Sequence, residues 1–176
     1  MTLFGDIFEA LYFILPAYFA NSSPTVLGKG SRYNFPLDRG RVFFDGRRII
    51  GDSKTVRGLI GGICAGLFIG FIQFLIRDPE PVLGFLDTMN RTFLLALGTH
   101  LGDLFGSFIK RRLNINPGGS FPIIDQLGFL VFALGLTAIF YEVPLKYVFI
   151  LLPLTLGAHL GANILAYKAG IKDVWW

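Results

Sequence analysis

Of 176 residues, 53% are hydrophobic, nineteen are phenylalanine and only 16% are charged, with a formal net charge of +4. So apolar a chain is excluded from the ordinary soluble domains of its size and reads as an all-α integral membrane protein. The single cysteine, Cys64, excludes an internal disulfide and any cysteine-rich metal site.

A bilayer core about 30 Å thick takes roughly 20 apolar residues of helix. Five windows meet that length, approximately 3–20, 58–76, 92–109, 123–141 and 148–167. They predict five transmembrane helices in a single membrane domain, 1–176, with two substantial connections, 21–57 and 110–122. The first window is preceded by no basic residue, contains Asp6 and Glu9, and runs out towards Pro24. It is therefore read as a helix rather than a cleaved signal, with both acids at the aqueous boundary. The second window, GLIGGICAGLFIGFIQFLI, is free of charge and repeats Gly58, Gly62 and Gly66 every fourth residue. That spacing suits close helix packing.

In the third window, His100, Asp103, Ser107 and Lys110 fall on one helical face, with Lys110 at the rim. Asp103 lies about 10 Å deeper than Lys110 at 1.5 Å per residue, where a carboxylate costs on the order of 2.5–3.5 kcal/mol. Intramembrane acids mark a site or pathway unless a neighbouring helix satisfies them. The connector KRRLNINPGGSFPIIDQLG then turns at Pro117, Gly118 and Gly119 and delivers Asp125 to the start of the fourth helix. Asp125 there suits the helix dipole, but an antiparallel hairpin could also bring it near Asp103. Two acids beside a basic rim make a plausible Mg²⁺ site for phosphate chemistry. In the fifth window His159 and Asn163 are read as interhelical bonding groups, and Trp175 and Trp176 as interfacial anchors.

Basic residues stay cytoplasmic in short loops. Thirteen of the sixteen Lys and Arg lie in 21–57, 110–122 and the tail, leaving Arg77, Arg91 and Lys146 on the other side. This places the N-terminus outside and the C-terminus in the cytoplasm of a multi-pass cell-membrane protein. The cytoplasmic face suits phosphates and anionic membrane lipid; nucleic acid is disfavoured because the cations hug the membrane. Within it, DGRRIIGDSKTVRG sets Asp52, Ser53, Lys54, Thr55 and Arg57 just ahead of the second helix. Such a segment can offer donors to phosphate, although it lacks the Walker A glycine spacing. A solvated basic loop explains it equally well on chemistry alone.

Two segments together resemble the CTP-dependent phosphatidate cytidylyltransferase superfamily, and the short five-helix form looks like its archaeal branch, the CDP-archaeol synthases. The resemblance rests on Asp103, Ser107, Lys110, Arg111, Pro117, Gly118 and Asp125, and on Ser53, Lys54 and Thr55 followed by Gly58. These motifs cover about 40 residues, and length and topology extend the likeness over most of the chain. It departs from the bacterial Asp-Arg-x-Asp pattern at Gln126 and Gly128.

The resemblance implies cytidylyl transfer from CTP to 2,3-di-O-geranylgeranyl-glycerol 1-phosphate, a prenylated ether phospholipid precursor, with pyrophosphate released. It further implies Mg²⁺ on Asp103 and Asp125, phosphate neutralisation by Lys110, Arg111 and Lys54, and hydrogen bonds from Ser53, Thr55 and Ser107. Asp52, Arg57 and Gly118 are further expected substrate contacts. Rival readings are a CDP-diacylglycerol synthase using ester-linked phosphatidate, and a small ion or proton transporter using His100, Asp103 and His159.

Overall fold

The computed structural model describes residues 2–27, 35–77, 83–116, 119 and 121–170. It contains five helices: α1 (Leu3–Leu27), α2 (Val56–Arg77), α3 (Leu83–Arg112), α4 (Pro122–Ala138) and α5 (Leu145–Lys168). Each predicted window falls on one of them, except that the fourth, 123–141, runs three residues past the end of α4. The helices α1, α2, α3 and α5 contain segments long and apolar enough to cross a membrane, while α4 has 17 residues. At 1.5 Å per residue α4 is about 25 Å long, at the short end of the spanning range.

The largest change from expectation is α3, which begins nine residues before its apolar window and runs on through Lys110, Arg111 and Arg112. A backbone near lipid satisfies its polar groups most simply by remaining helical, so the helix outlasts the apolar run. Leu113 and Ile115 donate back to Ile109 and Lys110, and Asn114, at φ 59°, marks the end of the helix.

Leucine gains little by leaving lipid for another leucine, so the helices associate through close backbone approach and polar contacts. The central α3 packs antiparallel between α2 and α4. Gly62, Gly66 and Gly70 of α2 face His100, Ala96 and Thr92. Gly98, Gly102 and Gly106 face Ala133, Gly128 and Ile124 of α4. At Gly102 a Cβ would overlap the Gly128 carbonyl, so only glycine permits this crossing. Behind the pair, Ile14, Ala17, Leu95, Phe129, Leu130, Ala133 and Leu151 form a buried core from α1, α3, α4 and α5. Polar ties cross it: Tyr18 and Thr155 hydroxyls meet at 2.6 Å, and Tyr12 and Gln73 each donate to the other's carbonyl.

Residues 35–55 form a folded hairpin rather than an open loop. Val56 N–H donates to Phe35 and Leu37 N–H to Lys54, closing its base, while Phe43–Arg47 and Ile49–Arg41 backbone bonds close its tip. At its centre is Asp38, whose side chain is 1% exposed. Its carboxylate accepts from Arg48 and from the backbone N–H groups of Gly40, Ile50 and Gly51. Gly51 makes that bond at φ +107°, a conformation open to glycine and strained for other residues.

Candidate active site

The hairpin is fastened to the end of α3 by two arginines. Arg47 donates to the carbonyls of Arg112 at 2.7 Å and Arg111 at 3.4 Å. Arg112 returns bonds to the carbonyls of Arg48 at 2.6 Å and Arg47 at 3.4 Å, and its Nε lies 3.3 Å from Asp45. The same guanidinium sits over the rings of Phe43 and Phe108, at 4.8 and 4.9 Å. Free carbonyls at a helix C-terminus attract cations, which explains why Arg47 docks there.

Docking carries Lys54 to Asp103. Lys54 Nζ lies 2.8 Å from Asp103 Oδ2, with the side chains 29% and 21% exposed. This partner offsets the burial of a carboxylate at depth. Ser107 donates to the Asp103 carbonyl at 2.9 Å, one turn along. His100, one turn before, is buried against Gly62, and its Nε2 has no hydrogen-bond partner among the described residues.

Asp125 comes from the facing helix. Its Oδ1 lies 2.7 Å from Lys110 Nζ, and its Oδ2 accepts from Phe121 N–H at the start of α4. Because Gly102 faces Gly128 and Gly106 faces Ile124, Asp125 stands level with residue 105, about 3 Å along the axis from Asp103. Both acids immediately follow an interface residue, and in an antiparallel pair one step onward turns both side chains to the same flank. Asp103, Asp125, Lys54 and Lys110 therefore line one end of one flank of the α3–α4 pair.

The remaining expected site residues divide. Arg111 is half-buried, and its Nε has no hydrogen bond among the described residues. Thr55 accepts from Gly58 N–H at 3.1 Å and caps α2. Asp52, Ser53 and Arg57 lie toward solvent, and Asp52 is ion-paired with Arg48 at 2.8 Å. Pro117 and Gly118 lie outside the described residues, as do Trp175 and Trp176. His159 packs edge-on against Phe129. Asp6 and Glu9, expected at the aqueous boundary, bind Lys146 and Arg77 across helices.

Burial alone would push the Asp38 carboxyl up, but the Arg48 guanidinium and three backbone N–H groups outweigh it and hold it well below the usual carboxylate range. Arg48 is held above its ordinary value by hydrogen bonds to Asp38 and then Asp52. Both groups are thus charged at any physiological pH. Asp38, Arg48 and Arg112 escaped the sequence reading, in which the arginines counted only as cytoplasmic charge. The one local sign was the Leu37-Asp38-Arg39-Gly40 turn, whose Asp-to-Gly40 bond is a familiar use of turn aspartate.

A sequence model of the CarS-like family, described as CDP-archaeol synthase, matches residues 3–176. The chain belongs to this family. The CDP-archaeol synthase of Pyrococcus furiosus is 49% identical over 97% of this chain and 98% of its own. That of Methanocaldococcus jannaschii is 44% identical over 97% of each. A solved structure described as an intramembrane enzyme for archaeal membrane lipid biosynthesis superposes with a TM-score of 0.75 at 39% identity, covering 90% of this chain and 94% of that one.

As a CarS-like chain it is a multi-pass membrane enzyme, and whether its site suits a divalent metal depends on the donors present. Among the described residues, no three His, Cys, Asp or Glu side chains converge. Mg²⁺ needs no such cage, since it commonly takes one or two carboxylates and completes its shell with water and substrate phosphates. Asp103 and Asp125 are hard oxygen donors of the right kind. Each carries an ammonium group that can transfer to an incoming phosphate.

Proposed function

We propose that the chain catalyses CDP-archaeol synthesis: CTP and 2,3-di-O-geranylgeranyl-glycerol 1-phosphate react to give CDP-archaeol and pyrophosphate. A phosphate oxygen of the lipid attacks the α-phosphorus of CTP, and the bond to the β-phosphate oxygen breaks. The lipid phosphate is already an anion, so no general base is needed. The difficulty is bringing two polyanions together, which fixed cations address.

What supports this reading above all is the convergence of the Lys54–Asp103 and Lys110–Asp125 pairs from three separate segments on one flank. Lys54 and Lys110 bind phosphate oxygens, and Arg111 supplies a buried N–H that lacks a partner among the described residues. Asp103 and Asp125 would hold Mg²⁺, which when bound would supply charge neutralisation for the leaving pyrophosphate. Ser53, at the base of the hairpin, donates to the nucleotide. The docked hairpin keeps Lys54 in place, and the prenyl tails remain in lipid beside α3 and α4. The flank faces the cytoplasm, where CTP is available, an orientation supported by the distribution of Lys and Arg.

The deciding experiment supplies purified protein with CTP, Mg²⁺ and the geranylgeranyl ether phosphate, or with an ester-linked phosphatidate, and measures pyrophosphate release. Turnover of the ether substrate well above the ester is expected. Preference for the ester would transfer the chain to the diacylglycerol reaction, and no turnover of either would reject the proposal.

A further inference from the structure

At the end of the bundle away from Asp103, a cavity of about 340 Å³ is lined by Glu9, Tyr12, Gln73, Arg77, Arg91 and Tyr147. Arg91 precedes Asp103 by twelve residues on α3, about 18 Å along the helix. The cavity therefore shares no wall with the flank described above. Its volume is within the range of small-ligand sites.

Charge in this cavity is unbalanced. Glu9 offers both carboxylate oxygens to Arg77, one of them at 2.9 Å, and that guanidinium also lies over the Tyr12 ring at 4.9 Å. Nearby, Lys146 is paired with Asp6 at 2.7 Å. Tyr12 and Gln73 are tied to each other through their carbonyls. Arg91 alone among these cations has no carboxylate partner among the described residues. Asp87, one turn earlier, is not ion-paired with it, and the guanidinium instead lies 5.8 Å from the centre of the Phe13 ring. A half-buried guanidinium in a membrane-spanning helix calls for an anion, and the cavity places Tyr147 and the Arg77 guanidinium around the same space.

We propose that this cavity is a second phosphate-binding site, distinct from the reacting phosphates, with Arg91 as its principal donor. A planar guanidinium fork suits two phosphate oxygens, a phenol adds a third donor, and the aromatic walls suit the glycerol and first methylenes of a head group. The phosphate group comes either from an anionic lipid of the leaflet at this end or from free phosphate. Nothing in this assignment depends on the reaction proposed for the other end.

The test uses full-length protein in a neutral maltoside detergent, titrated calorimetrically with dihexanoyl phosphatidylglycerol and, separately, with inorganic phosphate. One lipid is expected to bind, with affinity lowered about tenfold or more in Arg91→Gln, as for loss of a charge-assisted bond. Arg91→Lys should retain most of the binding, and Phe44→Ala, on the exposed hairpin at the far end, should leave it unchanged. Binding of inorganic phosphate alone, with the same Arg91 dependence, assigns the site to free phosphate. Failure of both probes to bind, or equal binding by Arg91→Gln, overturns the proposal. If that variant does not fold by gel filtration, Tyr147→Phe decides instead: a several-fold loss of affinity sustains the site, and unchanged affinity removes it.

Discussion

Lys54 and Asp103 are 49 residues apart in the chain and form a 2.8 Å ion pair between the 35–55 hairpin and the third helix. Each accounts for the other's position. The carboxylate needs a cation at its depth, and the pairing anchors the lysine near the membrane. Replacing Lys54 by Ala should lower kcat/KM for CTP by about tenfold to a hundredfold, the range for one charge-assisted bond. Arginine at this position should restore part of the loss. Steady-state kinetics of the two variants in detergent would decide, and an unchanged CTP dependence in Lys54→Ala would remove the residue from the site.

Asp103→Asn and Asp125→Asn keep shape while removing charge. Both should abolish Mg²⁺-dependent CTP turnover, with losses of at least about a hundredfold, as for removal of a central electrostatic group. In Asp125→Asn the side-chain amide oxygen can still accept from Phe121 N–H, so the start of α4 should remain intact by circular dichroism. Wild-type turnover by either variant would take that acid out of the metal site.

Asp38 governs the hairpin, and its effect depends on pH. Its folded pKa lies below the ordinary value of 3.8. The stabilisation it contributes is therefore fully present above about pH 4 and is lost as pH falls below that value towards the folded pKa. Asp38→Asn should show at neutral pH the hairpin opening that the wild type shows only in acid. Hydrogen exchange of residues 35–55 measures both, and equal protection in variant and wild type at pH 7 would contradict this role.

Helix approach at Gly102 is steric. Gly102→Ala should lower thermal stability, with about 1–3 kcal/mol expected for overpacking, because its methyl meets the Gly128 backbone. Gly135→Ala is the control, since nothing lies within 4 Å of a Cβ built there. Melting curves of the two proteins should separate clearly, and equal midpoints would mean that α3 and α4 can part without penalty.

Orientation is open to direct chemical test. In a Cys64→Ser background, Asn114→Cys should react with an impermeant maleimide only from the cytoplasmic side of sealed vesicles. Glu142→Cys should react only from outside. The reverse labelling pattern would put the proposed site on the wrong side for CTP.

The sequence by itself determined the membrane class and the five helices and singled out the candidate phosphate-binding residues, because hydropathy, helical period and motif spacing are local properties of the chain. The Asp103–Ser107–Lys110 face was legible because one helix carries it, and Asp125 because a short turn returns the chain beside it. Tertiary structure decided what those residues touch. It gave Asp103 to Lys54 and Asp125 to Lys110, made Thr55 a helix cap, and turned basic residues 39–48 into a folded hairpin around Asp38. Arg47 and Arg112 could not be told from other loop cations, because their roles are set by carbonyls and rings more than 60 residues away. The unbalanced cavity at Arg91 was equally hidden, since its walls come from four helices and its charge becomes apparent only once Glu9 is seen to be committed to Arg77.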